Sequence, residues 1–99
     1  MDRNTVVSIS PSREALVLRQ TTLQNAGMNV VSVLTPMQAR FEIQMGRCGN
    51  LLICHRLSAQ AADDIARLYR QYCPKGRIVL ITNGPREKIP AEADVHIPE

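Results

Sequence analysis

The sequence predicts an α/β fold in which helices cover both faces of a parallel sheet. Short runs rich in β-branched residues alternate with longer segments whose apolar residues recur at helical spacing. The strand runs are apolar on both sides, which is typical of parallel strands buried under helices. Prolines and glycines stand at segment ends, where they start and stop helices. A chain of 99 residues with this pattern is expected to form a single domain, residues 1–99.

The first strand is predicted at Thr5–Ser10, because valine, isoleucine and threonine dominate this run. Pro11 and Ser12 then open a helix, since proline tolerates the first turn and a serine hydroxyl can cap it. We expect this helix to reach about Ala26 and to end at Gly27. The residues expected on its inward side are Ala15, Leu16, Leu23 and Ala26.

A second strand and a second helix follow in the same order. Asn29–Leu34 is the strand, and Thr35 followed by Pro36 is a helix start. Within this helix an apolar stripe recurs at helical spacing and is predicted to face the core, with a sticky partner surface as the alternative. The stripe consists of Met37, Phe41, Met45 and Cys48.

The third unit repeats the alternation and the last one breaks it. Asn50–Cys54 is a strand, Ser58 caps a helix that stops before Pro74, and Arg77–Thr82 is the fourth strand. The segment that follows is too interrupted by prolines to hold a full helix, and Val95–Ile97 is predicted as a short last strand. The residues predicted to form the buried stripe of the third helix are Ala61, Ile65, Leu68, Tyr69 and Tyr72.

Composition narrows the classes of function. The net charge is +3, and the ten arginines are spread along the chain rather than massed in a tail. Three cysteines, an odd number without a C-x-x-C pair, argue against a disulfide framework and for a reducing compartment. No signal peptide and no apolar run of about 20 residues is present. We therefore expect a cytoplasmic protein that does not associate with membranes.

Strand–helix alternation predicts right-handed crossovers and a doubly wound, flavodoxin-like sheet of order 2-1-3-4-5. Ligands of such sheets bind at the carboxyl ends of the strands, where the strand order reverses. This crevice is expected to gather Ser10, His55 and Thr82. The predicted architecture has three helices, a reduced fourth helix and no fifth.

The chain resembles the receiver domain of bacterial response regulators from about Thr5 to its last residue. The most persuasive stretch is the first helix with its exit, residues 18–30, which reads LRQTTLQNAGMNV. Its Ala-Gly-x-x-Val step into the second strand is typical of that family. The fourth strand, which ends in Ile81-Thr82, is also similar. The resemblance implies a role in two-component signal transduction.

The acidic residues of the family do not recur in this chain. The metal-binding acid pair falls on Ser10 and Pro11, and neither can hold magnesium as a carboxylate would. The phosphoacceptor aspartate falls on His55, or on Cys54 if the register slips by one. The resemblance therefore implies a site without metal, cofactor or aspartyl phosphorylation.

Two further family positions complete the comparison. The switch serine or threonine falls on Thr82 and matches, whereas the lysine that ends the fifth strand falls on Glu99. The chain is thus similar to a truncated, degenerate pseudo-receiver. We expect a non-enzymatic signalling or scaffolding module that acts by protein–protein contact.

Two alternatives remain open. One is a small hydrolase or phosphotransfer protein that uses His55, perhaps with Cys54 or Thr82, provided that these side chains converge. The other is a nucleic-acid binder that uses scattered arginines, although it lacks an aromatic platform and a docking helix, so nucleic acid is not favoured. Those arginines are Arg13, Arg19, Arg67 and Arg70.

The predicted lack of a last helix leaves part of one sheet face uncovered. Wet apolar surface is unfavourable by about 25 cal/mol per Å². We therefore expect a homodimer through the strand four and strand five side, with another signalling protein as the alternative partner. The residues expected in this dimer face are Ile78, Val79, Leu80, Ile81, Val95 and Ile97.

Overall fold

A computed structural model describes residues 4–82 and 93–98. Strands and helices alternate through them as the sequence predicts. The strands are β1 (Thr5–Ile9), β2 (Asn29–Val33), β3 (Asn50–Ile53), β4 (Arg77–Thr82) and β5 (Val95–Pro98). The helices are α1 (Arg13–Asn25), α2 (Pro36–Gln44) and α3 (Ala59–Tyr72).

The five strands form one parallel sheet of order β2-β1-β3-β4-β5. The register places Ile9 beside Val33 on one side and beside Ile53 on the other, and Ile53 beside Leu80. The predicted fold class and strand order are therefore confirmed. The predicted reduction of the fourth helix falls on residues 83–92, which lie outside the described residues.

Each helix begins at the hydroxyl residue that the sequence marks. The side chains of Ser12, Thr35 and Ser58 each accept a hydrogen bond from the backbone N–H three residues later. Gly27 follows the first helix with φ of 88°, a left-handed value that glycine adopts without strain. These caps fix where each helix leaves the carboxyl edge of the sheet, which is where the candidate site lies.

The main core lies between the sheet and the helices α2 and α3. Alternate residues of the strands point into it, and α3 contributes Ala62, Ile65, Ala66 and Tyr69. Ile78 and Leu80 of β4 belong to this core and are fully buried. Their predicted place in a dimer face is therefore wrong, because period-two alternation turns them toward α3.

The opposite face of the sheet carries only α1 among the described helices. Leu52, Val79 and Ile81 point to this face, and each is half-buried, in contrast to the buried residues beside them in sequence. The parallel register pairs Val79 with Val95 and Ile81 with Ile97, so both β5 residues lie on the same face. The described structure thus has one well-covered and one partly open sheet face.

The predicted inward stripe of α2 is wrong. Met37 is 80% exposed and Phe41 is 61% exposed, whereas Ala39 and Ile43 are buried. Residues two apart lie about 200° apart around a helix, so the stripe points away from the core. Both sets satisfy the same helical spacing, and the small side chain of Ala39 is compatible with close packing of the helix. Met37, Phe41 and Met45 are exposed, whereas Cys48, which lies beyond the end of α2, packs against the core. The alternative of a partner surface stays a prediction.

Two smaller predictions about helix faces also fail. Ala26 is exposed, because α1 ends at Asn25 and Ala26 is only its cap. Tyr72 in the last turn of α3 is 49% exposed, while Ala62 and Ala66 occupy the inward positions. Small residues on the buried face of α3 bring the helix close to the sheet.

Cys48 and Cys73 form a disulfide, which corrects the expectation of free thiols. Their sequence separation is 25 residues, and their Cα atoms lie 5.3 Å apart. The start of β3 and the end of α3 meet here, where the Gly49 N–H also donates to the Tyr69 hydroxyl at 3.0 Å. Counting cysteines could not reveal this pair, because only the fold brings the two positions together. The argument for a reducing compartment from free cysteines therefore fails.

Candidate functional site

The candidate site lies at the carboxyl edge of the sheet, where β1, β3 and β4 end. Continuing the register beyond Ile9 and Ile53 sets Ser10 level with Cys54. The Cys54 N–H donates to the Ile9 carbonyl at 3.1 Å, which holds this alignment one residue past the strand. His55 and Thr82 lie one step further along the same edge. The topology thus gathers the predicted positions at one edge.

Ser10 is buried and stabilises the turn into α1. Its N–H donates to the Val33 carbonyl at 3.2 Å, so it extends the pairing of β1 with β2. Its hydroxyl oxygen accepts the Ser12 N–H at 3.1 Å, and Ser12 in turn caps α1. Ser10 therefore supports the local backbone at a position where the family carries an acid.

Cys54 is the free cysteine among the described residues, and it is 1% exposed. Burial raises the pKa of its thiol. Hydrogen bonds from the Ser10 hydroxyl, the Arg56 N–H and the Arg19 guanidinium, together with the charge of Arg19, lower this pKa by more than burial raises it. The pKa of Cys54 therefore lies below its usual value. The Cys54 side chain is therefore buried among polar groups rather than in a purely apolar setting. Arg19 reaches this thiol from α1.

His55 lies just beyond β3, in a turn that the Leu57 N–H closes by donating to the Cys54 carbonyl at 3.1 Å. Its Nδ1 lies 4.0 Å from the Cys54 sulfur. Neighbouring residues on a strand point to opposite faces, but β3 ends at Ile53 and the chain has already begun to turn, so these two side chains can meet.

Thr82 closes the edge on the β4 side, and it is buried. Its hydroxyl donates to the Ile97 carbonyl of β5 at 3.5 Å, a long hydrogen bond that lies within the sheet. The Thr82 hydroxyl therefore has a backbone partner that accounts for its burial. The assignment of Thr82 to the switch position of receiver domains stays a prediction from the resemblance.

The site offers little to a cation. The described residues contain no group of three or more histidine, cysteine or acidic side chains that could hold a metal ion. Ser10 and Pro11 stand where magnesium ligands would be needed, and a proline side chain has no donor atom. Glu99 lies outside the described residues.

A groove of about 420 Å³ lies beside this edge, between α1 and the strands β3 and β4. Its lining includes Arg19 and Arg56 but neither Cys54 nor His55. A nucleophile needs a path to its substrate, and neither the Cys54 thiol nor the His55 imidazole lines this groove. The apolar part of its wall comes from the open sheet face and from α1.

Sequence reasoning missed Arg19 as a neighbour of the thiol. It named this residue only among scattered arginines, since helical spacing alone does not reveal what a long side chain reaches. It also missed Asp94, whose carboxylate accepts the Ile78 N–H at 2.7 Å and an Arg70 guanidinium hydrogen at 2.8 Å. The weak signal that could have indicated these hydrogen bonds is the position of Asp94 directly before the predicted last strand, which begins at Val95.

No protein-family model matches the sequence, and no curated protein matches it. Solved structures match its fold closely. The Vibrio cholerae chemotaxis protein CheY4 aligns over 99% of this chain and 88% of its own, with a TM-score of 0.84 and 15% identity. The Thermotoga maritima response regulator TrrA, in complex with Mg²⁺ and BeF, aligns over 97% and 86%, with a TM-score of 0.83 and 14% identity.

A third match shows the range of proteins that share this fold. The adenylate cyclase from Rhodopirellula baltica aligns over 99% of this chain and 77% of its own, with a TM-score of 0.81 and 9% identity. TrrA has also been solved in complex with the histidine kinase ThkA. The class that the fold defines is the doubly wound, flavodoxin-like α/β protein. Within that class, the fold of this chain is that of response regulator receiver domains.

None of the helices in the described part of the chain combines the length and hydrophobicity that crossing a bilayer requires.

Proposed function

We propose that this protein is a degenerate receiver that signals or scaffolds by protein–protein contact and is not phosphorylated on aspartate. The observation that carries the proposal is the carboxyl edge of the sheet, where Ser10, Pro11 and His55 replace the acids of the resemblance. Aspartyl phosphorylation requires a carboxylate nucleophile and a cation that offsets the phosphate charge. The described edge offers neither group, which supports a role without this chemistry.

Exposed apolar surface supports the protein-contact part of the proposal. Large apolar side chains of α1 and β5 are accessible on the open face of the sheet, namely Leu18 and Ile97. Contiguous apolar surface on a soluble domain often marks an interaction site. The partner is a second copy of the chain or another signalling protein, and the TrrA–ThkA complex is an example of a neighbour in this fold that binds a signalling protein.

The alternative function uses His55 for hydrolysis or phosphotransfer. The observation that favours it is the contact of the imidazole with Cys54, since a thiol beside a base is a recognised nucleophile arrangement. The burial of Cys54 and the absence of both residues from the groove lining count against it. We therefore propose a protein without enzymatic activity.

The location that we propose is the cytoplasm of a bacterial cell, which rests on the resemblance to response regulators. A bond between Cys48 and Cys73 would be uncommon there, because cytoplasmic thiols are kept reduced. Thiol trapping in intact cells tests this point. Trapping of Cys48 and Cys73 as free thiols supports the cytoplasm, whereas their recovery as a disulfide argues for an oxidising compartment.

The experiment for the central proposal is incubation of the full chain with Mg²⁺ and acetyl phosphate, followed by intact-mass measurement. We expect no gain of a phosphoryl group in the intact mass of the chain. A phosphoryl group mapped to an aspartate would contradict the proposal. A phosphoryl group mapped to His55, and lost in His55→Ala, would instead support the phosphotransfer alternative.

A further inference from the structure

The open face of the sheet carries a slot beside α1. The slot is the groove of about 420 Å³ described above, and its apolar wall includes Leu18, Leu23, Leu52 and Ile81. The register extends this wall to β5, where Ile97 is 49% exposed. On the other face, α2 and α3 together bury the corresponding strand positions. The slot is thus the place in the described structure where apolar strand surface has no helix above it.

A convex ridge lies directly beside the slot. Leu18, on the side of α1 that lines the slot, is 69% exposed although it is a large apolar residue. Leu18 is at once part of the ridge and part of the slot wall. A ridge next to a slot on one face is self-complementary, because a two-fold rotation sets each ridge against the slot of the other molecule.

We propose that the slot is occupied by α1 of a second copy of this chain, in a symmetric dimer whose two Leu18 side chains are buried at the interface. This inference rests on the proposed function, a module that acts by protein contact, and it names the partner and the surface. The dimer covers the strand residues and the helix ridge of both copies with one contact. Val79, Ile81, Val95 and Ile97 of the predicted dimer face then lie in or beside it.

The charges at the rim of the slot fit a second copy. Glu14 and Arg56 both line the slot and are both exposed, so the same surface presents both signs of charge. A surface of one sign would repel its own copy, and the whole chain already carries a net charge of +3. The mixed rim lets an isologous contact pair opposite charges around an apolar centre.

The size of the face predicts a weak, reversible dimer. A helix of 13 residues is about 20 Å long, and α1 with the neighbouring strands is about 25 Å wide, so each copy offers about 500 Å². Standard interfaces bury about 800 Å² on each partner, and smaller ones belong to transient complexes. We therefore expect a dimer that forms and dissociates reversibly as the protein concentration changes.

Sedimentation velocity of the oxidised full chain over a concentration series from about 5 to about 500 µM tests this dimer. We expect a reversible monomer–dimer equilibrium for the wild type and at least a tenfold weaker equilibrium for Leu18→Glu. The matched control is Met37→Glu, which places the same charge at an equally exposed apolar position on α2. We expect the control to dimerise as the wild type does, and circular dichroism to show both variants folded.

Three outcomes would overturn the proposed dimer. They are a wild-type chain that stays monomeric throughout the series, a Leu18→Glu variant that dimerises like the wild type, and a Met37→Glu variant that is the weaker of the two. The acetyl phosphate experiment gives its answer for monomer and dimer alike. A monomeric chain that is not phosphorylated would therefore reject this interface and leave the proposed function standing.

Discussion

Arg70 and Asp94 join the end of α3 to the start of β5, with the Arg70 Nη2 atom 2.8 Å from the Asp94 Oδ2 atom. The same carboxylate oxygen accepts the Ile78 N–H at 2.7 Å, and the Asp94 N–H donates to the Ile78 carbonyl. Arg70 also donates to the carbonyls of Pro74 and Gly76. The pair thus holds the loop before β4 and the entry to β5 in one arrangement.

This arrangement predicts a defined dependence of stability on pH. The hydrogen bond from the Ile78 N–H, with the Arg70 guanidinium, lowers the pKa of Asp94. Because the pKa is lower in the folded than in the unfolded chain, the stabilisation is complete above the unfolded value of about 4 and is lost as the pH falls through the folded value. We expect Asp94→Asn to lower the free energy of unfolding by about 1 kcal/mol at neutral pH.

Urea unfolding at a series of pH values between neutrality and acid measures this effect. The difference in stability between wild type and Asp94→Asn should shrink as the pH falls below about 4. Asp63→Asn is the control, because Asp63 also pairs with an arginine, Arg67, at 3.0 Å on the same helix that carries Arg70. An equal loss at all pH values for Asp94→Asn would show that its charge is not what stabilises the fold.

The disulfide between Cys48 and Cys73 predicts a loss of stability on reduction. Closing a loop of this length restricts the unfolded chain by about 3 kcal/mol in the chain-entropy model. Urea unfolding with and without dithiothreitol should show this difference in the wild type. The double variant Cys48→Ser/Cys73→Ser should show no effect of the reductant. An unchanged midpoint for the reduced wild type would contradict the prediction.

The two faces of α2 predict opposite responses to substitution. Phe41→Ser should change the free energy of unfolding by less than about 1 kcal/mol, because most of the Phe41 side chain is in water. Ile43→Ala should cost about 2–5 kcal/mol, because it opens a cavity in the core. Thermal unfolding of the two variants compares these effects. A larger loss for Phe41→Ser would mean that the helix faces the core with the other stripe.

The surroundings of Cys54 predict a thiol that is protected from reagents in solution although its pKa is lowered. A lowered pKa favours the reactive thiolate, but the side chain is almost fully buried. We expect a disulfide reagent to modify Cys54 at least about tenfold more slowly in the native protein than in denaturant. Cys54→Ala supplies the blank for the oxidised protein. Rapid modification under native conditions would show that the thiol is accessible and would strengthen the enzymatic alternative.

The features that the sequence predicted correctly depend on residues close together in the chain, and the features that it missed depend on tertiary packing. The strands, the start of α2 and the end of α1 were predictable. β-branched runs, Thr35-Pro36 and Gly27 each act on the backbone of their own neighbours in sequence. The face of α2 was not, because Met37, Phe41 and Met45 satisfy helical spacing as well as Ala39 and Ile43 do. Their hydrophobicity favoured the wrong stripe, and only packing decides between the two.

The candidate site shows the same division. Its positions at the strand ends followed from the alternation of elements, which fixes where parallel strands finish. The reach of Arg19 to Cys54, the disulfide and the Arg70–Asp94 pair join residues that are distant in sequence. Local patterns carry no record of such pairs, so the fold was needed to find them.

The most direct test of the account is a titration of the ¹⁵N-labelled chain with Mg²⁺ and BeF, the group bound by TrrA. The account predicts that the amide signals of Ser10, His55 and Thr82 do not move, because none of these three residues carries a carboxylate that would hold the cation and the fluoride complex. TrrA under the same conditions serves as the positive control. Saturable shifts of these three signals would contradict the claim that the fold works without phosphoryl chemistry.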